Sequence, residues 1–415
     1  MTQPPTAAIA PASSTLAAFR SSTFRLYMIG QLVSLSGTWM QRVAQGWLIY
    51  EISGSEAWLG ASAFASGLPT LLLMPFGGTL ADRFPRRRIM QVVYVVELLI
   101  AALFALLTFA GTIQIEHIIV LSFGFGVTSA FGEPARQAVI NDLVEREALG
   151  SGISINGMMF NSAAIIGPAM AGVLLSSVGA AWCFAFNSVS YLVVLVVLQL
   201  LTPRPVSITP SPRVSPLRQV MEGWRYILQH RTIDKLILQG TLINVLGINL
   251  FITLLPAYAS RVLNSPEVGL TALSVAVSVG SVLGGLLTVS AGRRLGRGRL
   301  VALMSVCVGI VSVALVNLSD LRAAVIAGIL YGFVNTQFFL SSNILIQTQV
   351  DDAFRGRVMS TWMLNRFAIG PLTMLLLGAL ATQIGVVATI GMSGGAIIVL
   401  NAVFWAQMRA VRVLR

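Results

Sequence analysis

The chain has 415 residues, 56% of them hydrophobic and only 10% charged, with a formal net charge of +12. Soluble domains carry roughly 25% charged residues, so a water-soluble fold is excluded and a membrane protein indicated. The two cysteines, Cys183 and Cys307, imply no disulfide framework.

Residues 1–23 are polar and rich in Pro and Ala, without an apolar signal core, and are expected to form a cytoplasmic tail. A helix needs about 20 apolar residues to cross a bilayer, because backbone groups in hydrocarbon must be satisfied within the segment. Spans are expected within 25–50, 57–81, 89–110 and 117–136, with two more in 148–203 joined near Gly179. After a segment rich in Pro, Ser and Arg come 236–260, 268–292, 300–319 and 323–350, then two in 367–408 joined near Gly385. The runs are continuous rather than alternating, which argues against a β-barrel. The expected fold is an all-α membrane protein of twelve transmembrane helices.

Both ends then share one side. Of 27 Lys and Arg, only Arg261 and Arg322 fall in loops of the other side, and Arg42 and Arg366 within spans. That asymmetry predicts cytoplasmic termini. The arginines are divided among short loops, so lipid contact is expected and a nucleic-acid partner is not. Leu26, Gly30, Leu32 and Gly37 match Leu236, Gly240, Leu242 and Gly247, and Gly167-Pro168 matches Gly370-Pro371. These matches predict two six-helix bundles related by a pseudo-twofold axis, 24–201 and 234–408, with a flexible cytoplasmic linker at 202–233 and a cytoplasmic tail at 409–415.

The stretch GGTLADRFPRRR, 77–88, gathers an aspartate and four arginines between the second and third spans. It resembles the signature loop of the major facilitator superfamily, with Pro85 where glycine is usual. SLSGTWMQRVAQGWLIYEISGS, EPARQAVINDLV and GPAMAG resemble, more narrowly, its bacterial drug and siderophore exporter branch. The antiporter motif of that branch prefers glycine where this chain has Ala171. The resemblance implies a cytoplasmic gate of Gly78, Asp82, Arg83, Arg86, Glu133 and Arg136. In it Asp82 meets the start of span eleven near Arg357, and Arg86 pairs with Glu133 at the end of span four. It also implies that spans one, four, seven and ten line the central cavity.

Charges within spans are costly and are functional candidates by default. Gln31, Ser34, Thr38, Arg42 and Gln45 are spaced three or four apart and form one stripe on the first helix. Tyr331, Asn335 and Phe338 form another on span ten. With Asn244 and Arg366 these are the expected cavity residues, interhelical hydrogen bonding being the alternative for the stripes. A buried glutamate favours its neutral form unless paired, which makes Glu97 and Glu133 proton-coupling candidates. Gly167, Pro168, Gly370 and Pro371 are expected to permit helix bending. There is no P-loop, EF-hand or Cys/His cluster, so no enzyme, cofactor or metal site is expected.

The expected function is secondary active efflux from a bacterial cytoplasm, across the inner membrane, of a medium-sized amphipathic molecule by proton antiport. Two cavity arginines favour a neutral or anionic substrate, a catecholate siderophore or macrolide-like compound ahead of a cationic dye. An importer or lipid flippase is the alternative, and a non-transporting receptor or scaffold a third; the sequence does not give the oligomeric state, for which a monomer is plausible.

Overall fold

The computed structural model describes residues 17–201 and 216–407; within these ranges the side chains of Asp82, Arg366 and others, among them 216–220, 363–365, 367–369 and 405–407, lie outside the described part. All regular structure among the described residues is helical. A 3-10 turn (Ala17–Arg20) leads into α1 (Ser22–Ser53), α2 (Glu56–Arg83), α3 (Arg86–Phe109), α4 (Ile115–Leu143), α5 (Leu149–Ser177) and α6 (Ala180–Leu200). A surface helix, α7 (Pro216–Gln229), precedes a span made of α8 (Arg231–Ile243), a π-turn (Asn244–Ile248) and α9 (Asn249–Arg261). The remainder are α10 (Pro266–Leu295), α11 (Arg297–Val316), α12 (Leu321–Gln349), α13 (Asp352–Ile384) and α14 (Val386–Gln407).

Ten of these segments are long and apolar enough to cross a membrane. The 32-residue α1 and the 33-residue α13 match them in length. The side bearing the start of α1 and α7 is termed here the terminal side, and its opposite the far side. The turns between α5 and α6 and between α13 and α14 fall at Gly179 and Gly385, with φ of +90° and +86°, where a side chain would be strained.

Lipid tails are as apolar as leucine, so helices associate in a bilayer through close packing and polar ties rather than hydrophobic burial. The same device recurs in each half. A Cβ on Gly126 of α4 would strike the Ser66 carbonyl of α2, and one on Gly332 of α12 would strike the Val277 carbonyl of α10. Polar ties repeat as well: Gln31 of α1 donates to the Tyr94 hydroxyl of α3 at 2.8 Å, and Gln239 of α8 donates to Ser305 of α11 at 3.0 Å. Likewise Asn187 of α6 donates to Gln41 of α1 at 2.6 Å, and Gln239 to Asn401 of α14 at 2.7 Å.

Between halves, α2 packs on α13 and α5 on α10. Exchange of the halves maps the first pair onto the second, which is the pseudo-twofold relation. Cross-half approaches bring Gly46 to Pro256, Gly60 to Met374, Gly67 to Pro371 and Gly172 to Thr271. Each of these residues lies in the far half of its helix. On the terminal halves of α2 and α5, a Cβ at Gly78, Gly150 or Gly157 would meet nothing within 4 Å among the described residues. Among the described residues the close glycine approaches between the halves thus fall at their far ends.

α5 and α13 are continuous helices through Pro168 and Pro371, and the non-helical backbone lies at Gly247 in the π-turn, with φ −103° and ψ −105°. Gly167 is occupied in packing against Ser36, Trp39 and Met40 of α1, and Gly370 lies beside Asn249. The segment expected to be a flexible linker contains α7, fixed to α13 where Gly223 meets the Arg357 carbonyl and Thr361.

Candidate substrate cavity

Arg42 stands midway along α1, one helical turn to the terminal side of the Gly46–Pro256 approach that closes the halves. It is exposed although it lies mid-span, with Tyr191 of α6, Glu133 and Arg136 of α4 and Glu97 of α3 as its polar and charged neighbours. A cation exposed among groups from three helices faces the space between them rather than a packed core. Among the described residues Arg42 has no ion-pair partner; its guanidinium lies 5.0 Å from the centroid of the Trp39 ring. Trp39 in turn meets Phe160 of α5 edge-on, at 5.8 Å and 79°. The Trp39 Nε1 is buried without an acceptor among the described residues, an omission that costs about 1–3 kcal/mol unless water or a ligand fills it.

The rest of the α1 stripe turns to its neighbours. Gln31 and Ser34 are buried, Thr38 lies 3.1 Å from the Tyr191 hydroxyl, and Gln45 donates to Ser62 and Ser122 at 2.9 Å each. These residues tie α1 to α2, α3, α4 and α6. Of the five, the structure leaves only Arg42 exposed. On α12, Tyr331, Asn335 and Phe338 are likewise buried, with the Tyr331 ring against Phe251 at 4.6 Å. On α1 these polar residues tie helix to helix, whereas on α12 Asn335 donates to the Tyr331 carbonyl of its own helix at 3.1 Å.

Asn244 opens the π-turn and accepts from Asn249 Nδ2 at 3.0 Å; both are half-buried. π-turns interrupt the helical ladder and concentrate at functional sites. Residue spacing along 236–260 carries no sign of this interruption.

Glu133 and Arg136 form a tight pair, with Nη2 donating to Oε2 at 2.7 Å and Nε to the same oxygen at 3.2 Å. The Arg136 guanidinium also lies 5.9 Å from the Tyr94 ring centroid. Glu97 on α3 is 4% exposed and has Arg136 and Thr128 of α4 among its neighbours. Glu133 thus holds the Arg136 guanidinium, with Glu97 and Arg42 as further charged groups nearby.

The gate implied by resemblance is corrected in its partners. α4 continues to Leu143, seven residues past Arg136, so the acid at its terminal-side end is Asp142. Arg86 pairs with Asp142 and donates to the Ala138 carbonyl at 3.0 Å, while Glu133 is held by Arg136 of its own helix. Arg136 belongs inside the span rather than at its edge. Arg357 pairs with Glu222 of α7 at 3.2 Å. Arg83 is exposed, and the Asp82 and Arg366 carboxylate and guanidinium lie outside the described part. Arg87 donates to the Leu201 and Gln199 carbonyls at 3.0 and 2.9 Å and so staples α3 to the end of α6.

On the far side, Arg261 at the end of α9 reaches across to the other half. It meets the Glu56 carboxylate at 3.2 Å, donates to the Gly54 carbonyl at 3.1 Å and to the Tyr50 hydroxyl at 2.5 Å. Gly54 presents its carbonyl from a left-handed turn, φ +60°, that caps α1. Among the described residues no group of three or more His, Cys, Asp or Glu is placed to hold a metal ion.

The geometry, two helical halves around a polar, charged interior, is that of a membrane transporter. The model of the family described as Transmembrane secretion effector matches residues 13–413. The chain is 25% identical over 399 residues to the Staphyloferrin A transporter of Staphylococcus aureus, covering 95% of this chain and 96% of that one. It is 24% identical over 402 residues to the Enterobactin exporter EntS of Salmonella choleraesuis, with 94% of each covered. A crystal structure of a POT family transporter in complex with 5-aminolevulinic acid shares the fold at a TM-score of 0.76, with 11% identity and coverage of 97% of this chain and 98% of that one. The chain belongs to the Transmembrane secretion effector family of the major facilitator superfamily.

Proposed function

We propose that this chain is a proton-coupled exporter of an anionic, aromatic or polyoxygenated molecule of the siderophore class, with its terminal side in the cytoplasm of a bacterium. The observation that carries the reading is Arg42, a mid-span guanidinium with no counter-ion among the described residues, seated on the Trp39–Phe160 aromatic pair. A siderophore presents hard anionic oxygens, often on aromatic rings, and a planar guanidinium on an aromatic wall suits both parts. The names of the two relatives, a siderophore transporter and a siderophore exporter, support the same class. The concentration of Lys and Arg in the terminal-side loops supports the cytoplasmic placement.

In this reading substrate enters from the terminal side, its anion meets Arg42, and rocking of the halves about the far-side contacts reverses access. Glu97 and Glu133 compete for Arg136. A proton arriving on one leaves the guanidinium to the other, which links protonation to the arrangement of α3 and α4. Residues 202–233 join the halves, and α7 within them travels with α13. Asp82 and Arg366 remain candidates for the terminal-side gate and the cavity.

Arg42→Gln and Arg42→Lys test the substrate arm. A charge-assisted hydrogen bond contributes about 1.5–3 kcal/mol, so Gln should lower transport of a catecholate or carboxylate siderophore by roughly 10- to 150-fold. Lys, which keeps the charge without the planar fork, should lie between. Equal transport by wild type and Arg42→Gln, at equal protein in the membrane, would remove Arg42 from the substrate path.

A further inference from the structure

We infer that α7 is a membrane-surface anchor, its outward face seated at the boundary between headgroups and acyl chains of an anionic leaflet on the terminal side. α7 has two apolar faces. One is spent on the protein: Gly223, Tyr226 and Ile227 are buried, the Tyr226 ring stacks on Phe354 at 4.6 Å, and the Tyr226 hydroxyl donates to Asp351 at 3.0 Å. The other holds Met221, Trp224 and Leu228, spaced as one helical stripe, and these are 72%, 54% and 65% exposed. A helix bathed in water would carry polar residues on that stripe.

Chain continuity names what covers it. α7 ends at Gln229 and the membrane span of α8 begins at Arg231, so the helix lies one residue from a bilayer entry point. Its buried face rests on Arg357 and Thr361, in the first turns of α13, at the same boundary. Leu238, two turns into α8, is again exposed and continues the apolar surface into the lipid belt. Tryptophan prefers that boundary, where its ring is shielded and its N–H hydrated.

The charges around the stripe select the headgroup. Arg225 and Arg231 are exposed and Lys235 is half-buried, against Glu222 and Asp234. Glu222 is engaged with Arg357. The remaining excess is positive, and each basic group near an anionic leaflet is drawn toward it. Because Glu222 and Tyr226 also hold the start of α13, the seated helix fixes that end of the second half against the membrane.

The test uses the full-length protein in vesicles of phosphatidylglycerol and phosphatidylcholine, and takes the emission of Trp224 as the difference between wild type and Trp224→Phe. Lipids brominated near the headgroup should quench this difference signal strongly, lipids brominated near the chain terminus weakly, and aqueous acrylamide little. Arg225→Gln, or vesicles of phosphatidylcholine alone, should reduce the headgroup-proximal quenching at least twofold. A signal quenched by acrylamide and untouched by brominated lipid would place the face in water and overturn the anchor. Insensitivity to both quenchers would mean that protein covers it, with the same consequence, and equal quenching in both lipid mixtures would overturn the anionic preference.

Discussion

Arg261→Ala should open the far side of the protein. Arg261 joins the last turn of α9 to the α1–α2 turn of the other half through the Glu56 carboxylate, the Gly54 carbonyl and the Tyr50 hydroxyl. Glu56 is fully buried, and as the first residue of α2 it also gains from the helix N-terminus. Arg261 meets it as a charge pair at 3.2 Å rather than through a directed hydrogen bond. Loss of one member of a buried pair costs about 3–5 kcal/mol. The Arg261 side chain is 49% exposed, so water replaces part of what it provides, and about 1–3 kcal/mol is a fair expectation. That shifts a two-state balance by roughly 5- to 150-fold. Spin labels on the far ends of α2 and α9 should show a longer distance population in Arg261→Ala and in Glu56→Gln, with the double variant no worse than the more severe single one. Arg322→Ala removes the other far-side arginine without touching this clasp, and should leave the distances as they are. Unchanged distances in Arg261→Ala would show that helix packing alone shuts the far side.

Arg136→Gln should uncouple the first half. The substitution leaves Glu133 without its 2.7 Å partner and removes a positive charge from the neighbourhood of Glu97. The Glu133 side chain is 40% exposed, so the stability cost is on the order of 1–3 kcal/mol rather than the full value for a dry pair. Transport should suffer more, because the site whose occupancy answers protonation is gone: proton-driven flux should fall at least ~100-fold, on the scale of a few kcal/mol. Arg136→Lys should recover the thermal midpoint, and Glu133→Gln added to Arg136→Gln should restore stability but not flux. Full proton-driven transport by a stable Arg136→Gln protein would exclude the Glu97–Arg136–Glu133 group from coupling.

Much of the architecture was legible because a bilayer admits few solutions. Uncharged runs of helical length, Gly179 and Gly385 at the turns, and matched residues in the halves all follow from the need to satisfy backbone groups within each span. The site was less legible. Periodicity identifies the polar face of a helix, and Gln31, Gln45 and Tyr331 do lie on such faces, but it does not say whether a neighbouring helix or water stands opposite. Arg42 differs from them in exposure, which depends on how the halves meet. Asp142 is not legible from a span that ends at Arg136, because α4 continues two turns further through Asn141 and Asp142 to Leu143. The clasp left one trace in sequence, since Arg261 is one of two arginines on the far side, and its acid, Glu56, lies more than two hundred residues away. The π-turn left none: Asn244 to Ile248 reads as ordinary helix.

The most direct measurement is flux into everted membrane vesicles containing the purified chain, so that its terminal side faces the medium. With an acid-inside gradient, a labelled catecholate siderophore supplied outside should accumulate in the lumen while protons leave. A protonophore should collapse the accumulation, and Arg42→Gln should prevent it. Gradient-independent flux, accumulation only when the gradient is reversed, or movement of cationic dyes with no movement of the siderophore would contradict proton-coupled export of an anionic substrate.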